Sequence, residues 1–151
     1  MFEKAILSKK FAFLFPALLF FFNIAATSLF YADSRFYAWI YSAILHPLGG
    51  AAMAVLFFNF WEKNPELYLF KRKYFVVLIM ALGFVALVGV LWELYEFGLD
   101  YSGLFPFKSQ QGLQDTMLDL FWDLAGGGFL LLFYLNSSLY KKYLPGAQEK
   151  I

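Results

Sequence analysis

The chain has 151 residues, a net charge of +1 and a mean hydropathy of +0.62, with 62% hydrophobic and 15% charged residues. That length suits one domain, and that composition excludes an ordinary water-soluble globule. The near-neutral charge gives a nucleic acid no electrostatic foothold, and the absence of cysteine excludes disulfides, thiolate metal sites and cysteine nucleophiles.

Four stretches are long and apolar enough to cross a bilayer, which takes about 20 helical residues. They run over 11–32, 37–61, 74–98 and 115–140. Lipid offers the backbone no hydrogen-bond partner, so each must be a helix. The fold class predicted is therefore all-α: an integral membrane bundle of four transmembrane helices forming a single domain over 1–151. A basic start before an apolar run also describes a signal peptide. This run exceeds the usual span of about 7–15 residues, and Phe30 spoils a small-residue cleavage site at Tyr31-Ala32. A retained first span is the expectation. Ten of the twelve basic residues precede the first span, join the second to the third, or follow the fourth; Arg35 and Lys108 are the exceptions. The positive-inside rule then places both termini in the cytoplasm. Tyr31, Tyr37 and Trp39 at the outer boundary, with Trp61 and Tyr74 at the inner one, fit aromatic belts.

With that orientation the polar residues gather in the outer half. Asn23 and Thr27 are the polar candidates on the first helix, and His46 lies about 13 Å down the second. Glu93 and Glu96 fall in the last turns of the third helix and share a face with Gly89 and Trp92. Asp115, Asp119 and Asp123 follow one another along one face of the fourth, which Gly126 and Gly127 extend. Ser42, His46, Gly49, Gly50 and Met53 line one side of the second, and small residues there favour close helix packing. Pro47 cannot donate to the carbonyl of Ala43, so a kink is expected beside His46.

Five acids and a histidine face no Lys or Arg within any span. Each ionised acid near mid-bilayer costs about 2.5–3.5 kcal/mol on the insertion scale. Three compensations are open: bound protons, a metal cation, or a water-filled cavity. Carboxylates with one imidazole suit Mg, Mn, Fe or Zn. Blander roles stand beside these: Asp115 as a helix N-cap, Glu96 in interfacial water, His46 as a helix–helix hydrogen bond. Glu93, Asp119 and Asp123 are too deep for caps or loops. At least one proton is expected on the empty cluster near pH 7, since its like charges are close and partly desolvated.

The His46-Pro47 turn, "WELYEFGLD" closing the third span and "QGLQDTMLDLFWDLAGG" opening the fourth resemble the YjdF-like family of small bacterial inner-membrane proteins, over roughly residues 40 to 130. A looser similarity to VanZ-like proteins rests on the order histidine, glutamate, then Gln and Asp before a Gly-rich helix. The first resemblance implies a multi-pass protein of the bacterial cytoplasmic membrane and names no reaction.

Together these features predict an outward-opening acidic pocket acting on an envelope lipid or other amphipathic substrate. Glu93, Asp119 and His46 are its catalytic candidates. Glu93, Glu96, Asp119, Asp123 and His46 are candidate ligands of a divalent metal, with Gln111, Asp115 and Asn23 around them. Two other classes stay open: proton- or cation-coupled transport as a homo-oligomer, and an accessory subunit whose acids bind a basic partner helix.

Overall fold

The computed structural model describes residues 8–30, 41–64, 74–103 and 108–136. The expected span ends at 31–32, 37–40 and 137–140 lie outside these residues, as do Tyr31, Tyr37, Trp39 and the side chains of Thr27, Ser42 and Tyr74. Among the described residues all regular structure is helical: α1 (Lys9–Phe30), α2 (His46–Lys63), α3 (Tyr74–Ser102) and α4 (Leu113–Asn136), with a π-helical turn over Tyr41–Leu45 leading into α2. Three are long and apolar enough to cross a membrane, over Ala43–Trp61, Phe75–Ser102 and Leu113–Asn136. The fourth, α1, is a further helix of 22 residues.

Local signals account for the ends. Ser8 caps α1, its hydroxyl accepting from the Phe11 N–H and its carbonyl from Ala12. The kink expected at Pro47 takes the form of the π turn. Pro47 has no N–H for the α-helical ladder, and one wider turn absorbs the break before α2 begins. The third helix runs to Ser102, four residues beyond the predicted end, so Glu93 and Glu96 lie nine and six residues from its end, still within its last three turns. Gly98 was the expected stop, but the chain passes through it as helix. The stop is Gly103, whose φ of +63° suits a residue without a Cβ and lets its N–H reach the carbonyl of Asp100.

The central contact is α2 on α4, more extensive than α3 on α4 or α1 on α2. Glycine makes it close. A Cβ on Gly50 would overlap the backbone of Asp123, and one on Gly126 the backbone of Pro47. Gly127 faces the Val85 side chain and the Gly50 carbonyl. Toward the Lys63 end of α2 the packing becomes aromatic. Phe57, Phe58, Trp61 and Tyr134 join Val77, Ala81, Leu131 and Leu135 in one buried cluster, with Phe58 and Tyr134 stacked at 3.9 Å. Outward the surface is strongly apolar: Phe13, Phe21, Phe75 and Phe129 are each about two-thirds or more exposed, a face that lipid solvates and water does not.

The residues just before α4 are held by one carboxylate. Asp100 accepts from the backbone N–H groups of Ser109 (2.7 Å) and Gln110 (3.0 Å). Gly112, at φ +127°, turns the chain into α4, and its carbonyl takes the N–H of Thr116.

Two outcomes follow. Gly50→Ala should lower stability by about 1–3 kcal/mol, because a methyl there meets backbone that cannot rotate away. Gly49→Ala should be near neutral, since its Cβ would lie 3.6 Å from the Asp123 carboxylate, ordinary contact. Thermal unfolding of the two variants in detergent compares them. Asp100→Asn weakens two charge-assisted bonds, so hydrogen exchange at the Ser109 and Gln110 amides should rise by about tenfold.

Candidate functional site

The α2–α4 contact sets His46 against the acidic face of α4. Asp119 and Asp123 are one turn apart, and the imidazole lies along them with one nitrogen toward each. Its Nδ1 is 3.2 Å from Asp123 Oδ1, and its Nε2 is 3.5 Å from Asp119 Oδ2. From α3, Glu93 completes a trio: one ligand atom each from His46, Glu93 and Asp119 lies within 4.8 Å of the others. All three residues are buried, and Asp119 is 1% exposed.

Glu93 is held from one side. Its Oε2 accepts from the Gln110 side chain at 3.2 Å, and the same Gln110 nitrogen donates to Thr116 Oγ1 at 3.0 Å. Its Oε1 is buried without a hydrogen-bond partner among the described residues. An unmade hydrogen bond on a buried carboxylate oxygen is costly, so such an atom calls for a cation or a proton at the trio.

The other candidates divide. Asp123 pairs with His46 and lies outside the trio that has metal-ligand spacing. Glu96 is buried too, but accepts from the Trp92 indole N–H at 2.9 Å on its own helix, also outside that trio. Asp115 is the third residue of α4, not its cap; its carboxylate accepts the Gln111 N–H at 3.1 Å, while Gly112 occupies the cap position. The Gln111 side chain is exposed, and Gln110 is the glutamine that reaches Glu93. Choosing between adjacent glutamines needed the Asp100 clamp and the turn at Gly112, neither of which has a periodic signature. Asn23 on α1 lines a cavity of about 130 Å³ next to the site, with Gly49, Met53, Gly89 and Trp92, and with His46 and Asp123 as its ionisable walls.

Two chemical states suit this geometry. An imidazolium bridging Asp119 and Asp123 would hold a proton. Alternatively, Nδ1–H donates to Asp123 and fixes the tautomer, turning the Nε2 lone pair toward Asp119 and Glu93, the arrangement by which a carboxylate orients a metal-binding imidazole. Oxygen and nitrogen ligands about 2.0–2.2 Å from a metal lie roughly 3–4 Å apart. The three atoms therefore need to draw together by at most about 1–2 Å.

Comparison with known proteins agrees with the membrane character. An "Uncharacterized protein" of Thermotoga maritima is 33% identical over 95 residues, 58% of this chain and 44% of that protein, so the chain matches less than half of that relative's length. No solved structure matches the chain. The VanZ-like similarity has no counterpart among these matches, whereas the YjdF-like one points to the same family as the match that covers nearly the whole chain. That match runs over residues 2–138, and the chain belongs to the family described as "Predicted membrane protein (DUF2238)".

Proposed function

We propose that this protein is a four-span protein of the bacterial cytoplasmic membrane, with both termini inside, that holds a divalent metal ion in the outer half of its bundle and uses it on an amphipathic substrate. The observation that carries this reading is the convergence of His46, Glu93 and Asp119 from three helices to within metal-ligand reach, in a buried place where Glu93 Oε1 accepts no hydrogen bond from the described residues. Basic residues crowd the cytoplasmic side on this topology, and α1 supplies the first span.

When bound, the metal would polarise a substrate oxygen or activate a water. The protein's own part is distinct. Glu93 and Asp119 would bring negative charge to the ion, His46 a neutral nitrogen, and Asp123 would keep that nitrogen aimed by holding the proton on Nδ1. Gln110 would steady Glu93 while leaving its second oxygen for the ion. The Asn23-lined cavity beside the cluster supplies room for the apolar part of a substrate.

A route for ions through the bundle is less well supported. Below the cluster, α2, α3 and α4 close on one another through Phe57, Phe58, Val77, Leu131 and Tyr134, an aromatic and aliphatic core without a described acid.

Elemental analysis of protein purified in detergent should find about one divalent ion per chain. Glu93→Gln/Asp119→Asn should lose it, while remaining folded by thermal melt. Equal and negligible metal in both proteins would remove the reading. Metal binding to a cluster carrying protons displaces them. Calorimetric titration near pH 7 should therefore give enthalpies that vary with the ionisation enthalpy of the buffer; heats independent of buffer would exclude a protonated resting cluster.

A further inference from the structure

The cavity beside His46 has a shape and setting that bear on what enters it. Its walls come from α1, α2 and α3, with Asp123 added by α4, and they are apolar apart from a few side chains, chiefly Asn23, His46 and Asp123. His46 and Asp123, both more than nine-tenths buried and 3.2 Å apart, form its polar head. At about 130 Å³ it is close to the size of an apolar protein cavity that accepts a benzene-sized guest, so it suits a hydrocarbon segment of about six carbons rather than a whole acyl chain.

The wall between α1 and α3 is the thinnest, because α1 packs on α2 and the turn before it and touches α3 far less. The first helix lies along α2, and across its seam with α3 Phe20 meets Trp92 edge-on, ring centroids 6.4 Å apart. Beside Phe20 and Trp92 the exposed residues are large and mostly apolar: Phe13 and Ile24 on α1, Leu91 and Tyr95 on α3. Anything passing between α1 and α3 arrives from the hydrocarbon phase. Glycine keeps the inner end clear, since a Cβ on Gly89 would press on the Asp123 carboxylate.

We propose that this cavity seats a hydrocarbon segment of a membrane lipid, which enters sideways between α1 and α3 past Phe20 and Trp92 and brings its oxygen-bearing head to His46 and Asp123. This rests on the reading above that the bundle spans the bilayer with its cluster inside it, and it names the substrate class of that site as a lipid taken from the membrane. The remainder of the chain stays in the bilayer, so the site selects for the first few carbons next to the head and not for chain length.

The test is photo-cross-linking of the full-length protein in vesicles of phosphatidylethanolamine and phosphatidylglycerol carrying a diazirine-bearing phospholipid of the same head groups. Cross-links mapped by mass spectrometry should fall on Leu19, Met53 and Val88 as well as on lipid-facing Phe13 and Leu94. Val88→Trp fills the cavity away from the cluster; labelling at Leu19 and Met53 should fall by about tenfold, with Phe13 and Leu94 unchanged. Labels confined to Phe13 and Leu94 in the wild-type protein, which needs no variant to fold, overturn the proposal. So does unchanged labelling in Val88→Trp. Metal content of the same wild-type sample separates the two readings: lipid in the cavity without metal sinks the metal centre alone, and metal without cavity labelling sinks the lipid alone.

Discussion

The close approach of α2 and α4 is the constraint on which the rest of this molecule depends. Gly50 lies against the backbone of Asp123, and Gly126 against that of Pro47, so a hydrogen stands in the contact where other residues carry a methyl. In lipid, helices gain little from hydrophobic burial against one another and rely on tight packing and interhelical polar contacts. Here the two coincide. The glycines that let the backbones meet also bring the imidazole of His46 within 3.2 Å of Asp123 and 3.5 Å of Asp119. Widening the contact would lengthen those distances and leave buried charge poorly compensated.

The bundle is divided along its length. At the Lys63 end, stacked aromatic rings and branched aliphatic side chains fill the interior. At the other end the interior is polar: His46, Glu93, Glu96, Asp119 and Asp123 are all buried. Rigid packing below and a cavity beside the polar cluster make the second half a place where something can bind, and the first a foundation that keeps the helices from shifting when it does.

Much of this was legible in the sequence, for physical reasons. Long charge-free runs force helices, and a four-residue spacing forces Asp119 and Asp123 onto one face, so the helices and the acidic company of His46 followed from counting. What counting missed lay in non-periodic geometry. Gly98 looked like a helix stop, yet Gly103 is the residue with positive φ. Pro47 announced a break, but not that the break would be a π turn over Tyr41–Leu45. The paired glutamines hid which one faces Glu93, because that depends on how Asp100 grips the backbone ten residues away. Glu96 shares its face with Glu93 but is engaged by Trp92 one turn back, a contact that helical spacing permits without requiring.

The order of elements in the α2–α4 contact bears on how the protein is made. The helices that pack most closely are separated in the chain by the whole of α3, and Asp123 follows His46 by 77 residues. During synthesis α2 leaves the ribosome long before its partner does. Until α4 is threaded in, His46 has neither of its aspartates and the glycine faces have nothing to lie against. The polar cluster is thus the last thing the chain assembles. A nascent chain stalled before Asp119 presents an open, unsatisfied α2 face in the bilayer, the kind of surface by which membrane quality control recognises an unfinished protein.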